Sequence, residues 1–174
     1  MNYAQVFLYD IANGPGCRTT LFVSGCTHHC KGCFNEIAWD FNYGKPFTEE
    51  VENELLKESD SSFIDGFTIL GGEPMETVNQ RALISFLRKA KKMYKNKTIW
   101  IYSGYTYEEL TDTKNDRCNC EVTDEILSLI DVLVDGEFKI EKKDISLKFR
   151  GSSNQRLIDI KKTRENGKII TLNL

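Results

Sequence analysis

The sequence predicts an α/β fold, a mainly parallel sheet in an open, partial β/α barrel of about five or six βα units. A single domain over residues 1–174 carries it. Three observations predict this. Short apolar runs alternate with amphipathic helical stretches, which is the pattern of βαβ units. Each unusual motif falls directly after an apolar run, where ligand sites of parallel α/β folds lie. The chain's 174 residues fall short of the ~250 that a closed eight-unit barrel takes, so an open one fits.

The elements follow in order. Val6–Tyr9 is a candidate first strand, and Thr19–Ser24 (TTLFVS) a clearer one. Thr48–Ser59 reads as a helix, with Thr48 as N-cap and Val51, Leu55 and Leu56 on one side. Gly66–Leu70 (GFTIL) is a strand. The next helix opens on Thr77 and Gln80, which have capping-box spacing. Its apolar residues Leu83, Phe86, Leu87, Ala90 and Met93 keep helical periodicity. Thr98–Tyr102 (TIWIY) is a strand. Thr106 and Glu109 form a second capping-box pair, and Val122, Ile126, Leu129 and Ile130 mark a further helix. Asp131–Val134 is a strand, and Leu157–Ile160 and Ile169–Leu172 are weaker candidates.

Composition narrows the function classes. With 23 basic and 26 acidic residues the net charge is -3, which argues against broad electrostatic binding to nucleic acid, though not against a local patch. The one basic run, Arg88 to Lys97, reads as a solvated helix face. No segment approaches the ~18 apolar residues of a membrane span, and Met1–Asp10 carries no secretion signal. The expectation is a cytoplasmic protein that binds neither nucleic acid nor membrane. Thiols stay reduced in that compartment, so clustered cysteines read as metal ligands or catalytic groups before disulfides.

Half of the six cysteines lie in one stretch, SGCTHHCKGCFN, with the spacing C-x3-C-x2-C: Cys26, Cys30 and Cys33. Structural zinc wants four ligands, usually as two separated pairs, and His28 or His29 would have to complete a set packed into eight residues. A four-iron cluster normally takes four thiolates, so three leave one iron open to a ligand. Cys118 and Cys120 sit in a polar stretch that reads as an exposed loop, and Cys17 reads as a small buried hydrophobe. Gly71-Gly72-Glu73-Pro74 follows its strand with two glycines that admit close backbone approach to a ligand, and with a proline that ends the strand. A tight turn explains GGEP equally well when it is taken alone.

Cysteines with an open iron, followed by GGEP one βα unit later, resemble the radical S-adenosylmethionine (SAM) superfamily. The blocks NGPGCRTTLFVSGCTHHCKGCFN, ILGGEP, IWIYSGYT, DVLVDGEF and RGSSNQR run in order from Asn13 to Arg156. They are similar to those of the radical SAM glycyl-radical activase family. The resemblance implies a radical SAM type of partial barrel. It implies an oxidoreductase that reductively cleaves SAM to a 5′-deoxyadenosyl radical and generates a glycyl radical on the large chain of the anaerobic (class III) ribonucleotide reductase. An external low-potential electron donor such as a flavodoxin would serve it. The alternatives are an activase of the pyruvate formate-lyase type and, from another class, a non-catalytic zinc-binding interaction module.

Residue by residue, the resemblance implies that Cys26, Cys30 and Cys33 hold one [4Fe–4S] cluster. Gly71, Gly72 and Glu73 match the motif that receives the methionine ammonium of SAM. Gly32, Cys33 and Phe34 border the adenine, and Ser103 and Asp135 contact the ribose and methionine-carboxylate side. Arg18 and Arg150 are candidates for partner or carboxylate contacts. The turns Gly14–Gly16 and Ser152–Gln155 shape the rim, and His28 and His29 are loop residues just beyond the cluster's own ligands, and not catalysts. No catalytic acid–base pair is implied, because the cofactors carry the chemistry.

Overall fold

A computed structural model describes all 174 residues. Seven strands form one sheet in the order β3-β1-β2-β4-β5-β6-β7. They are β1 (Asn2–Asp10), β2 (Arg18–Val23), β3 (Lys45–Pro46), β4 (Gly66–Gly71), β5 (Thr98–Tyr102), β6 (Val132–Asp135) and β7 (Arg156–Asp159). The helices are α1 (Glu49–Glu58), α2 (Thr77–Met93), α3 (Tyr107–Thr111), α4 (Thr123–Leu129) and α5 (Ile160–Asn166). None is long and apolar enough to cross a membrane.

The α/β class agrees with the sequence, and the number of repeating units is smaller than expected. β2, β4, β5 and β6 pair in parallel, which leaves three parallel crossovers. β1 and β7 join their neighbours antiparallel. Ile169–Leu172 is not a strand, although Leu172 N–H donates to the Leu157 carbonyl at 2.7 Å and Thr171 makes a single bridge to Ile158.

Strand periodicity divides the core in two. Leu21, Val23, Phe67, Ile69, Ile99, Ile101 and Leu133 point to one face, against Leu55, Leu83, Phe86, Leu87 and Ile126 of the helices. Trp100, Val132, Val134 and Leu157 point to the other, where Phe149 and Leu172 cover them. The helices therefore lie on one face, and loops close the second.

Arg18 organises that second face. It is fully buried, so it is not available to touch a partner. Its guanidinium makes five hydrogen bonds, to Thr68 Oγ1, the Pro15, Phe67 and Thr98 carbonyls, and Thr98 Oγ1. It also lies 5.4 Å from the Trp100 ring. Burial lowers its pKa to about 10, still far above neutrality, so it remains a cation. The Gly14–Gly16 turn wraps this side chain and does not stand at the rim; a Cβ at Gly14 would lie 2.6 Å from Arg18 Cδ.

Two caps follow the sequence. Thr48 accepts from Val51 N–H, and Thr106 and Glu109 form a complete capping box. The Thr77–Gln80 pair does not: Gln80 is buried and spans to the Met75 and Cys118 carbonyls, both at 2.7 Å. Cys118 is accordingly a core residue and not part of an exposed loop. The basic run is largely paired, with Arg88 on Glu125, Lys89 on Glu52 and Lys91 on Asp131.

Arg18→Met removes five donors from buried acceptors and is expected to cost about 3 kcal/mol or more. Urea denaturation reads it; a loss under about 1 kcal/mol would mean that water replaces the guanidinium.

Candidate functional site

The parallel strands run out into loops on one rim, around a cavity of about 470 Å3. Residues of all four motifs line it: Cys26, Cys30 and Cys33 after β2, Gly71–Glu73 at the end of β4, Ser103 and Gly104 after β5, and Gly136 after β6. Gly32, Phe34 and Arg150 also line it, whereas Arg18 and Asp135 do not. Phe34 is 82% exposed, an open aromatic face at the mouth.

Glu73 ties the rim together. It is buried, and its carboxylate accepts from Met75 N–H (2.8 Å), the Ser103 hydroxyl (2.8 Å) and Gly104 N–H (2.6 Å). His28 Nε2 approaches the same carboxylate at 3.3 Å. Each carboxylate oxygen thus has two protein neighbours, and the group is spent on holding loops. The adjacent glycines are required by space. A Cβ on Gly72 would stand 2.6 Å from the Gly25 carbonyl oxygen, and one on Gly71, at φ +112°, would stand 2.7 Å from that of Val23.

Asp135 has a structural task. Arg156 grips both its oxygens and Tyr107 N–H donates to it at 2.8 Å, while Arg156 also holds Glu108. Arg150 differs: its Nε is buried without a partner beside the cavity. Gln155 pins the rim by accepting from Gly151 and Ser152 N–H and donating to the Gly136 carbonyl.

All six cysteines are free thiols. Burial pushes the Cys26 thiol up to about 11, and burial together with Glu137 pushes Cys30 up to about 12. Both are protonated near neutrality, so metal binding would have to displace protons. No three His, Cys, Asp or Glu side chains stand in ready metal-ligating proximity. The triad lines one cavity without converging. Even so, the residues fit an iron–sulfur group, with three unbridged thiols and a glycine turn with no room for a Cβ lining the same cavity. No fourth cysteine lines the cavity.

Sequence reasoning kept His28 as a loop residue near the cluster without naming its neighbour, and the structure places it beside Glu73. Burial opposes its protonation, but the Glu73 carboxylate outweighs this and raises its pKa above the ordinary value. It also missed Glu76, which accepts from Thr27 N–H (2.8 Å) and the Thr27 hydroxyl (2.6 Å). Nothing in spacing separates His28 from His29, which stacks on Trp39 instead, with centroids 4.5 Å apart.

Three thiols and a glycine turn at the ends of parallel strands suit an iron–sulfur protein of the α/β class, and similarity to known proteins shows that class. The family model described as "4Fe-4S single cluster domain" matches residues 12–158. An anaerobic ribonucleoside-triphosphate reductase-activating protein of Pasteurella multocida (strain Pm70) is 43% identical over 157 residues, 89% of this chain and 95% of the relative. The protein of that name in Vibrio cholerae is 40% identical, over 89% of this chain and 96% of its own. That of Enterobacteria phage T4 is 35% identical over 90% and 93%. The chain belongs to the family of anaerobic ribonucleoside-triphosphate reductase-activating proteins, and it carries the 4Fe-4S single cluster domain.

Gly72→Ala forces backbone against backbone. It is expected to lower stability by about 2 kcal/mol, or roughly 6 °C in the thermal midpoint. An unchanged midpoint would show that the turn can shift.

Proposed function

We propose that this protein activates an anaerobic ribonucleotide reductase by generating a glycyl radical on its large chain. It does so with one [4Fe–4S] cluster on Cys26, Cys30 and Cys33 and with SAM bound in the same cavity. The observation that carries the reading is that the three thiols and the Gly71–Gly72 turn line one cavity, in a chain whose relatives bear the reductase-activating name. The sheet is then the open, partial barrel of a radical SAM enzyme. The protein works in the cytoplasm, with an external low-potential donor of the flavodoxin kind.

When bound, the cluster and SAM together supply one-electron cleavage of the SAM carbon–sulfur bond and hydrogen abstraction from the partner's glycine. The protein's own residues bind and orient. Gly71 and Gly72 bring backbone against the ligand, so its ammonium meets main-chain carbonyls; Glu73 holds that turn in place rather than receiving the charge itself. Phe34 offers its exposed ring to the adenine, next to Gly32. Arg150, with an unpartnered Nε, is the donor suited to a carboxylate. Ser103 acts through Glu73, and Asp135 acts through Arg156 as a brace for the rim. Leu70, Phe138 and Phe149 keep the inner wall apolar, which limits water around a reactive group.

Reconstituted without oxygen, the protein should be brown, with about four irons per chain. Mixed with the reductase large chain, SAM and a reductant, it should produce a glycyl radical signal in electron paramagnetic resonance. Cys30→Ala should abolish both SAM cleavage and that signal. A colourless protein with one tight zinc, or cleavage retained in Cys30→Ala, would overturn the reading.

A further inference from the structure

The segment between the first two cysteines is pinned at two consecutive residues. Thr27 is fixed by Glu76 through its N–H and its hydroxyl. His28 is fixed by its surroundings: its side chain is 7% exposed and its ring lies 4.3 Å from that of Tyr105. The ring fills the space above Gly104, where a Cβ would come within 2.7 Å of it. Both acids that receive this segment, Glu73 and Glu76, belong to the turn that begins with Gly71-Gly72.

The His28 contact is incomplete. Nε2 is 3.3 Å from Glu73 Oε2 but is not aligned for a hydrogen bond, and no other partner reaches it. A buried donor left in this way is costly, and such contacts at active sites are often loose before the ligand arrives and tighten with it. His28 is also the contact that joins the cysteine segment to the Glu73 carboxylate, whose other donors come from the GGEP and Ser103–Gly104 turns.

From this we infer that His28 is a positioning residue. Its Nε2 donor on Glu73 fixes the cysteine segment against the glycine turn, and so sets where SAM lies relative to the cluster. The inference rests on the reading that the cavity holds both groups. It needs the donor and not only the bulk of the ring, and this separates it from simple packing.

The test is a SAM titration of the reduced, reconstituted protein, following the change that SAM causes in the cluster's electron paramagnetic resonance spectrum. His28→Gln keeps a side-chain donor, whereas His28→Leu keeps bulk without one. His28→Leu is expected to need about tenfold more SAM for half the change, as loss of a hydrogen bond to a charged group would give. His28→Gln should stay within about threefold of wild type, with iron content unchanged in both. If Leu and Gln titrate alike, or both match wild type, the inference is overturned while the function stands. A wild-type protein that takes up iron but does not respond to SAM would overturn the function reading and this inference with it.

Discussion

The rim depends on one buried carboxylate. Glu73 sits just past β4 and accepts from Met75 N–H behind it and from Ser103 and Gly104 after β5, with His28 of the cysteine segment 3.3 Å away. A carboxylate held out of water is tolerable only when its lone pairs are satisfied, so the loops that satisfy it are bound to each other. Asn79 extends the knot by donating to the Glu73 and Ser24 carbonyls. Glu76 repeats the arrangement one turn later with Thr27 and Tyr105. Loops far apart in sequence thereby share one geometry.

The sheet makes this possible by delivering four strand ends to the same side. Its two faces have different duties. The helix-covered face carries most of the apolar core, while the other holds Arg18, Trp100 and the cavity-lining residues Leu70 and Tyr102. A buried cation is stable there because every direction of the guanidinium meets an acceptor or an aromatic face. The opposite end of the same sheet can then stay open for a ligand.

Several features were legible in the sequence because they rest on local rules. The strands of GFTIL and TIWIY, the Thr48 cap and the Thr106–Glu109 box appear where periodicity and capping chemistry put them. So does the meeting of four post-strand motifs on one rim. Readings that needed a partner's position did not carry over. Gln80 has the spacing of a capping residue, yet it is buried, holding the Cys118–Thr123 loop. Arg18 was a candidate for partner or carboxylate contacts, but the fold buries it. Asp135 looked like a ligand contact, but Arg156, twenty-one residues later, claims it.

The sequence by itself determined the α/β class, the cysteine triad and the glycine turn, because these depend on residue type and spacing along one stretch of chain. Only the tertiary structure decided which polar groups remain free to meet a ligand. That is a matter of satisfaction: a buried donor or acceptor is available only if no neighbour has taken it, and the neighbours come from distant segments. By this test Arg150 retains an unpartnered nitrogen at the cavity, whereas Arg18, Glu73 and Asp135 are spent within the fold and His28 faces Glu73. The histidines show it most plainly. They are adjacent in sequence and alike in type, and they differ only in what the fold has put beside them.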